Sequence, residues 1–303
     1  MKTDPRNRYL LPPGLTRHFT MANSSSTTRL GLGSIGQWNT GVFSRYRTQL
    51  PGTTVNNQAI GGRRAFGGGP LPVVSAFTAM NAYWLLLALN AVPFGLWMYA
   101  AQTRNRNLDV KLRQNTLVSV ENVDCGRWWT ILTSAFSHQS PTHIAFNLFT
   151  MHTMCQFLSF ANLSGLHVLG IALGSGIAGS YGFLVQKRAQ RTQGKTSMAR
   201  AEAYHASALG ASGAVMGLAA VATCFFPFQS VTIFPIPIPM PLSLVTVGYF
   251  VIDAYRLDST TTRTAHAGHL GGFAFGLISY FVVLKSMAPV GVWYMLKRFL
   301  GRR

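Results

Sequence analysis

The sequence predicts an all-α polytopic membrane protein with six transmembrane helices, and three observations carry that expectation. Charge is confined to blocks: residues 65–103, 128–186, 203–252 and 264–284 contain no Asp, Glu, Lys or Arg. A bilayer core takes about 20 apolar residues per helix, so these blocks have room for about one, two, two and one spans. Leu, Ala, Phe, Val and Ile dominate each block and Gly is frequent, as membrane helices allow. Helices of a water-soluble bundle would keep a polar face bearing Glu and Lys, and these do not.

Residues 1–75 precede the first expected span. They hold nine Lys and Arg against one acid, Asp4, and many Ser, Thr, Gly and Asn. That composition reads as a basic disordered tail or an organelle transit segment, and no apolar region of a secretory signal follows Met1. Spans are expected at about 76–101, 142–161, 164–186, 210–227, 240–257 and 264–284. Between the first two, residues 102–141 are too many for a turn. Trp128, Trp129, Phe136 and Pro141 suggest a partly lipid-embedded loop, because tryptophan prefers the interface. The alternating prolines from Pro235 to Pro241 end one helix before the next begins. Residues 76–285 therefore form the membrane domain. Residues 286–303 add a basic amphipathic segment on the membrane surface.

The formal charge is +19, from 26 Lys and Arg against seven Asp and Glu. A nucleic-acid partner is one explanation of that balance. The basic residues, however, lie in the tail, the loops and the C-terminal end, where they suit anionic lipid headgroups. The expected partner is the lipid bilayer, with no nucleic acid. Cys125, Cys155 and Cys224 are scattered and form neither a disulfide framework nor a zinc motif.

Four polar side chains stand where polarity is costly. His143 and Asn147 are four residues apart at the start of the second expected span, hence on one helical face. Ser212 opens the fourth span within Gly210-Ala211-Ser212-Gly213, and His269 lies in the sixth. Polar groups in hydrocarbon face one another or a water-filled cavity. A hydroxyl becomes a nucleophile when imidazole takes its proton. The Asn147 amide, the His143 ring and the Ser212 backbone N–H are candidate donors to the resulting oxyanion. Gly213 and Gly217, and Gly272 and Gly276, have the spacing that lets two helices approach closely.

His266, one turn before His269, is the alternative base; the glycines at +3 and +7 from His269 favour the latter. Asp253 comes late in the fifth span and reads as a span-end anchor, which leaves a Ser–His dyad with its histidine oriented by packing. His138 and His152 read as structural, with His138 near the expected cavity mouth. A transporter or a metal or haem protein built on His143, His152, His266 and His269 would lack the carboxylates such a site commonly adds, so no metal and no cofactor are expected.

His143-Ile144-Ala145-Phe146-Asn147, Gly210-Ala211-Ser212-Gly213 and His269-Leu270-Gly271-Gly272 with Gly276 resemble the motifs of the rhomboid intramembrane serine proteases. The resemblance covers most of residues 76–285 and is greatest to the mitochondrial branch. It implies a six-helix rhomboid-like bundle with a long membrane-embedded loop after helix 1, ending here in Phe136-Ser137-His138. It also implies Ser212 as nucleophile, His269 as base, and His143 with Asn147 as oxyanion stabilisers. Two departures stand out: Thr130 follows Trp129 where many relatives have Arg, and Met216 replaces an aromatic four residues after the serine.

The expected activity is that of an intramembrane serine endopeptidase, a hydrolase cutting single-span membrane proteins within or beside the transmembrane segment. The alternative is a catalytically silent rhomboid-like protein that binds transmembrane helices for quality control. The resemblance implies the mitochondrial inner membrane, with another endomembrane as the alternative.

Overall fold

Six helices lie at the six positions expected for spans, and three of them pack around the candidate catalytic residues. The computed structural model describes residues 77–233, 236–257, 264–287 and 291–301; the tail or transit segment expected over 1–75 lies outside the described residues. Helix α1 (Ala79–Gln102) is followed by α2 (Arg106–Thr116), strand β1 (Val118–Ser119), α3 (Val120–Asp124) and α4 (Thr130–Thr133). Then come α5 (Pro141–Phe160), α6 (Gly165–Gln193), α7 (Ser197–His205), β2 (Ser207–Ala208) and α8 (Ser212–Phe225). A hairpin of β3 (Ser230–Ile233) and β4 (Ile236–Pro241) leads to α9 (Leu242–Tyr255), α10 (His266–Ser279) and α11 (Val292–Leu300).

Local chemistry sets the boundaries. Thr78 caps α1 by accepting from Asn81 N–H, and Ser140 caps α5, whose first residue is Pro141. Both devices satisfy or remove the N–H groups that a helix start leaves unpaired. The proline run expected only to interrupt a helix forms β4, paired antiparallel with β3. Proline there can occupy the positions of a two-stranded ribbon that need no donor.

Among the described residues, three helices are long and apolar enough to cross a membrane: α1, α6, and α10 with its continuation to Leu284. Helix α5 has 20 residues but is interrupted by His143, Asn147, Thr150, His152 and Thr153. Helices α8 and α9 are apolar with 14 residues each. Trp84, Val92, Phe149, Leu166, Leu244 and Val282 are exposed on the outer faces. Such a surface suits lipid and not water.

Helix α10 packs against α6 and α8, and α6 also packs against α8. Glycines make these contacts close. A Cβ added at Gly272 would stand 2.1 Å from the Gly213 carbonyl oxygen, and one at Gly276 would stand 2.3 Å from that of Gly217. The two glycine pairs therefore face each other, backbone to backbone, as small-residue spacing permits. Helix α1 closes the bundle against α5 and α6 through Ala79, Ala82, Tyr83 and Leu86.

The loop after α1 is folded and tied down. Trp97 Nε1 donates to Ser137 Oγ at 2.7 Å, which donates to Thr116 Oγ1 at 3.1 Å. Asn122 Nδ2 donates to the carbonyls of Arg113 and Leu117, while Arg127 Nε donates to Asn122 Oδ1. Arg127, two residues before Trp129, thus supplies a guanidinium anchor in a loop where Thr130 follows that tryptophan. Strand β1 pairs with β2, which holds the loop against the residues just before Ser212.

At the C-terminal end of the described residues, α11 has no buried residue, and its Trp293 lies beneath the ammonium groups of Lys285 and Lys297, 4.8 and 5.5 Å from its ring centre.

Candidate active site

The serine is placed by a turn that only glycine accommodates. Gly210 has φ +120°, and a Cβ there would meet His143 Cε1 at 2.7 Å and Nε2 at 3.0 Å. A left-handed backbone and an imidazole against its face exclude any side chain at this position. Gly210 N–H donates to Ser134 O at 2.9 Å, which fastens the turn to the folded loop. Helix α8 then begins at Ser212, with Val215 N–H the first to bond back, to Ala211 O. The N–H groups of the first turn thus have no intrahelical acceptor, and the helix dipole places positive potential beside the hydroxyl.

His138, expected to be structural, belongs to this site. Its Nε2 accepts from Ala211 N–H at 3.3 Å and lies 2.9 Å from Asn147 Nδ2. Because a backbone N–H is always a donor, Nε2 is the acceptor and the ring proton sits on Nδ1. Burial and the neighbouring His143 push the pKa of His138 down to about 4, so the ring is neutral at physiological pH. The His143 ring stands edge-on to it, with centroids 4.9 Å apart. Asn147 is buried and gives one amide hydrogen to His138, which leaves its second for another acceptor.

Ser212 and His269, from helices distant in the chain, line one cavity of about 300 Å³. Asn147 shares that wall, with Phe146, Phe149 and Met154 of α5, Val215 and Met216 of α8, and Leu242, Val245 and Tyr249 of α9. The cavity is apolar and bounded by α5 on one side and α9 on the other. Among the described residues no hydrogen bond joins Ser212 Oγ to His269. Catalytic bonds are often open without substrate and tighten in the complex. Ser212 also borders a smaller cavity of about 30 Å³ with Ser134 and Ser180. His266 lines neither; it borders a separate polar cavity of about 310 Å³ with Gln186 and Lys187.

The expectation for Asp253 is corrected. It does not reach out as a span-end anchor: it is 3% exposed and lies between two imidazoles. His269 Nδ1 is 3.1 and 3.0 Å from its two carboxylate oxygens, and His266 Nδ1 is 2.6 Å from Oδ1. His269 is held by a carboxylate as well as by packing. One clue was legible: Asp253 is the lone charge between Glu202 and Arg256, and a carboxylate so placed needs a buried donor. His138 offered no comparable clue, since its partners are a backbone N–H 73 residues away and an amide from the next helix. Among the described residues no group of three or more His, Cys, Asp or Glu side chains is arranged to hold a metal ion.

The sequence model of the Rhomboid domain family matches residues 125–286. The chain is similar to an uncharacterised mitochondrial rhomboid protein of Schizosaccharomyces pombe, 23% identical over a 250-residue alignment, with 67% of this chain and 63% of the relative covered. It is also similar to the mitochondrial RHOMBOID-like protein 12 of Arabidopsis thaliana, 27% identical over 207 residues (66% of this chain, 58% of the relative). Mitochondrial rhomboid protein 1 of Saccharomyces cerevisiae is 25% identical over 212 residues (68% and 54%). The matches thus span between 54 and 63% of the length of these relatives.

Proposed function

The chain belongs to the rhomboid family, and from that premise we propose that it is an intramembrane serine endopeptidase acting on single-span membrane proteins. The observation that carries the reading is that Ser212 and His269 line one apolar cavity. An apolar cavity walled by α5 and α9 suits a segment of transmembrane helix better than a polar peptide. Ser212 Oγ attacks the scissile carbonyl as His269 Nε2 takes its proton, and the tetrahedral intermediate forms. The imidazolium returns that proton to the leaving amine, and water then repeats the cycle on the acyl-enzyme. The Ser212 N–H, the free amide hydrogen of Asn147 and the His143 ring are the proposed donors to the oxyanion.

The three mitochondrial relatives and the span-capable helices support an integral mitochondrial membrane protein. The inner membrane is the placement we propose. Helices α1, α5, α6, α8, α9 and α10 are proposed as six spans. The exposed Trp128, Trp129 and Leu132 of the folded loop are proposed to dip into the lipid.

The test is cleavage of a single-span substrate by the purified protein in liposomes. Ser212→Ala is expected to abolish product while leaving insertion and melting temperature unchanged, and His269→Ala to abolish product with normal insertion. Cleavage by Ser212→Ala at the wild-type rate overturns the reading.

A further inference from the structure

We infer that Asp253 is a positioning residue for the reaction: its carboxylate, held by His266 on one side, fixes the tautomer and orientation of His269 on the other. This rests on the proposed Ser212–His269 chemistry and adds a third, intramembrane member to it.

The geometry separates this role from that of a surface anchor. An anchor at a span end is exposed and meets water, headgroups or a cation. Asp253 is buried in α9, and both carboxylate oxygens lie within hydrogen-bond distance of imidazole Nδ1 atoms on α10. His269 Nδ1 is nearly equidistant from the two oxygens, at 3.1 and 3.0 Å. A carboxylate only accepts, so Nδ1 of His269 carries the ring proton. The lone pair then resides on Nε2, the atom that must receive the serine proton. When it does, the Nδ1–H stays with Asp253, whose negative charge stabilises the imidazolium without taking the proton itself.

His266 supplies the second half of the arrangement. A buried carboxylate with one partner would be poorly satisfied and free to rotate away. The 2.6 Å bond from His266 Nδ1 holds Oδ1 toward α10. The two histidines are three residues apart on one helix, their ring centroids 6.4 Å apart, with the carboxylate between them. His266 borders the polar cavity near Gln186 and Lys187 and not the cavity of Ser212, so its bond to Asp253 is the route by which it supports His269 in this assignment.

A purely structural alternative exists, since the same bonds pin α9 to α10. The experiment therefore reads quantities that pinning alone does not move. Asp253→Asn keeps size and hydrogen bonding but removes the charge and admits the wrong tautomer. Its kcat in liposomes is expected to fall by about 100-fold or more, with KM and melting temperature close to wild type. Asp253→Glu is expected to recover at least tenfold of that loss. In the protein labelled with 15N-histidine, wild type is expected to show a strongly downfield Nδ1–H resonance from His269, absent in Asp253→Asn. A kcat for Asp253→Asn within threefold of wild type overturns the assignment, as does a kcat loss that Glu does not relieve and that tracks a fall in melting temperature. Wild-type protein without the downfield resonance also overturns it, whatever the cleavage assay gives. Absence of Ser212-dependent cleavage with the resonance present refutes the protease reading instead and leaves the carboxylate–imidazole geometry standing.

Discussion

Adding one methyl group at Gly272 tests whether backbone contact between α8 and α10 sets the reactive geometry. An alanine Cβ there would lie 2.1 Å from the Gly213 carbonyl oxygen, 2.7 Å from its carbonyl carbon and 2.9 Å from its Cα. Ordinary contact starts at 3.4 Å, and the obstructing atoms are backbone, so no side chain can swing aside. The helices must therefore separate locally by about 1.3 Å. Gly213 directly follows Ser212, and Gly272 lies one turn after His269, so the separation falls between the proposed nucleophile and its proposed base. A misplacement of about 1 Å costs a reaction on the order of 100-fold, and overpacking costs about 1–3 kcal/mol of stability. Gly272→Ala is expected to lower kcat about 100-fold in the liposome assay, with a reduced melting temperature and normal insertion. Gly95→Ala in α1, with nothing within 4 Å of its added Cβ, is the control and should be silent. A Gly272→Ala protein that cleaves within threefold of wild type would show that this contact does not govern the site.

The remaining outcomes concern the turn before Ser212. Gly210→Ala combines an unfavourable φ of +120° with a contact 2.7 Å from the His143 ring; backbone strain of about 1–3 kcal/mol and a displaced His143 should reduce kcat without removing Ser212 from the cavity, as product formation and labelling by a fluorophosphonate probe will report. His138 has a folded pKa of about 4 against a reference of 6.5, so below pH 6.5 the unfolded chain binds a proton that the folded one does not. Stability from this group is full above pH 6.5 and falls as pH drops towards 4, by at most about 3 kcal/mol. Melting temperatures of wild type should show that slope in neutral detergent, and His138→Gln should flatten it. Asn122→Ala removes the amide that joins Arg113, Leu117 and Arg127, and the melting temperature should fall by the equivalent of about 1–3 kcal/mol.

What the sequence disclosed follows from the kind of information each feature needs. Charge-free blocks and glycine spacing are local patterns, and they located the apolar helices α1, α5, α6, α8, α9 and α10 and the facing pairs Gly213–Gly217 and Gly272–Gly276. Ser212, His269, His143 and Asn147 were conspicuous because polarity within an apolar run is rare. Asp253 was equally conspicuous, but position alone placed it at a helix end, and only the packing of α9 on α10 reveals that its side chain turns inward. His138 sits in a loop rich in other polar residues, so nothing local distinguished it. The hairpin of β3 and β4 was hidden for a related reason: a proline run announces where a helix stops and says nothing about what replaces it.

Helix length supplies a physical reason for the proposed hydrolytic site in an apolar bundle. The 14 residues of α8 extend about 21 Å, against a hydrocarbon core of about 30 Å. As one of the proposed spans, a helix of that length would reach only part of the way and one end would stop inside the membrane. At the Ser212 end the chain continues as the turn at Gly210, covered by the folded loop through the Gly210–Ser134 and Ala211–His138 bonds. A helix N-terminus at that depth has N–H groups that lipid cannot satisfy. Protein donors and acceptors must gather there, and His138, His143 and Asn147 do. If α8 is a span, as proposed, its shortfall would place this polar pocket below the lipid surface, with the same unpaired first-turn N–H groups positioned for the proposed oxyanion. A full-length helix would have left them at the headgroups, satisfied by water and without a role.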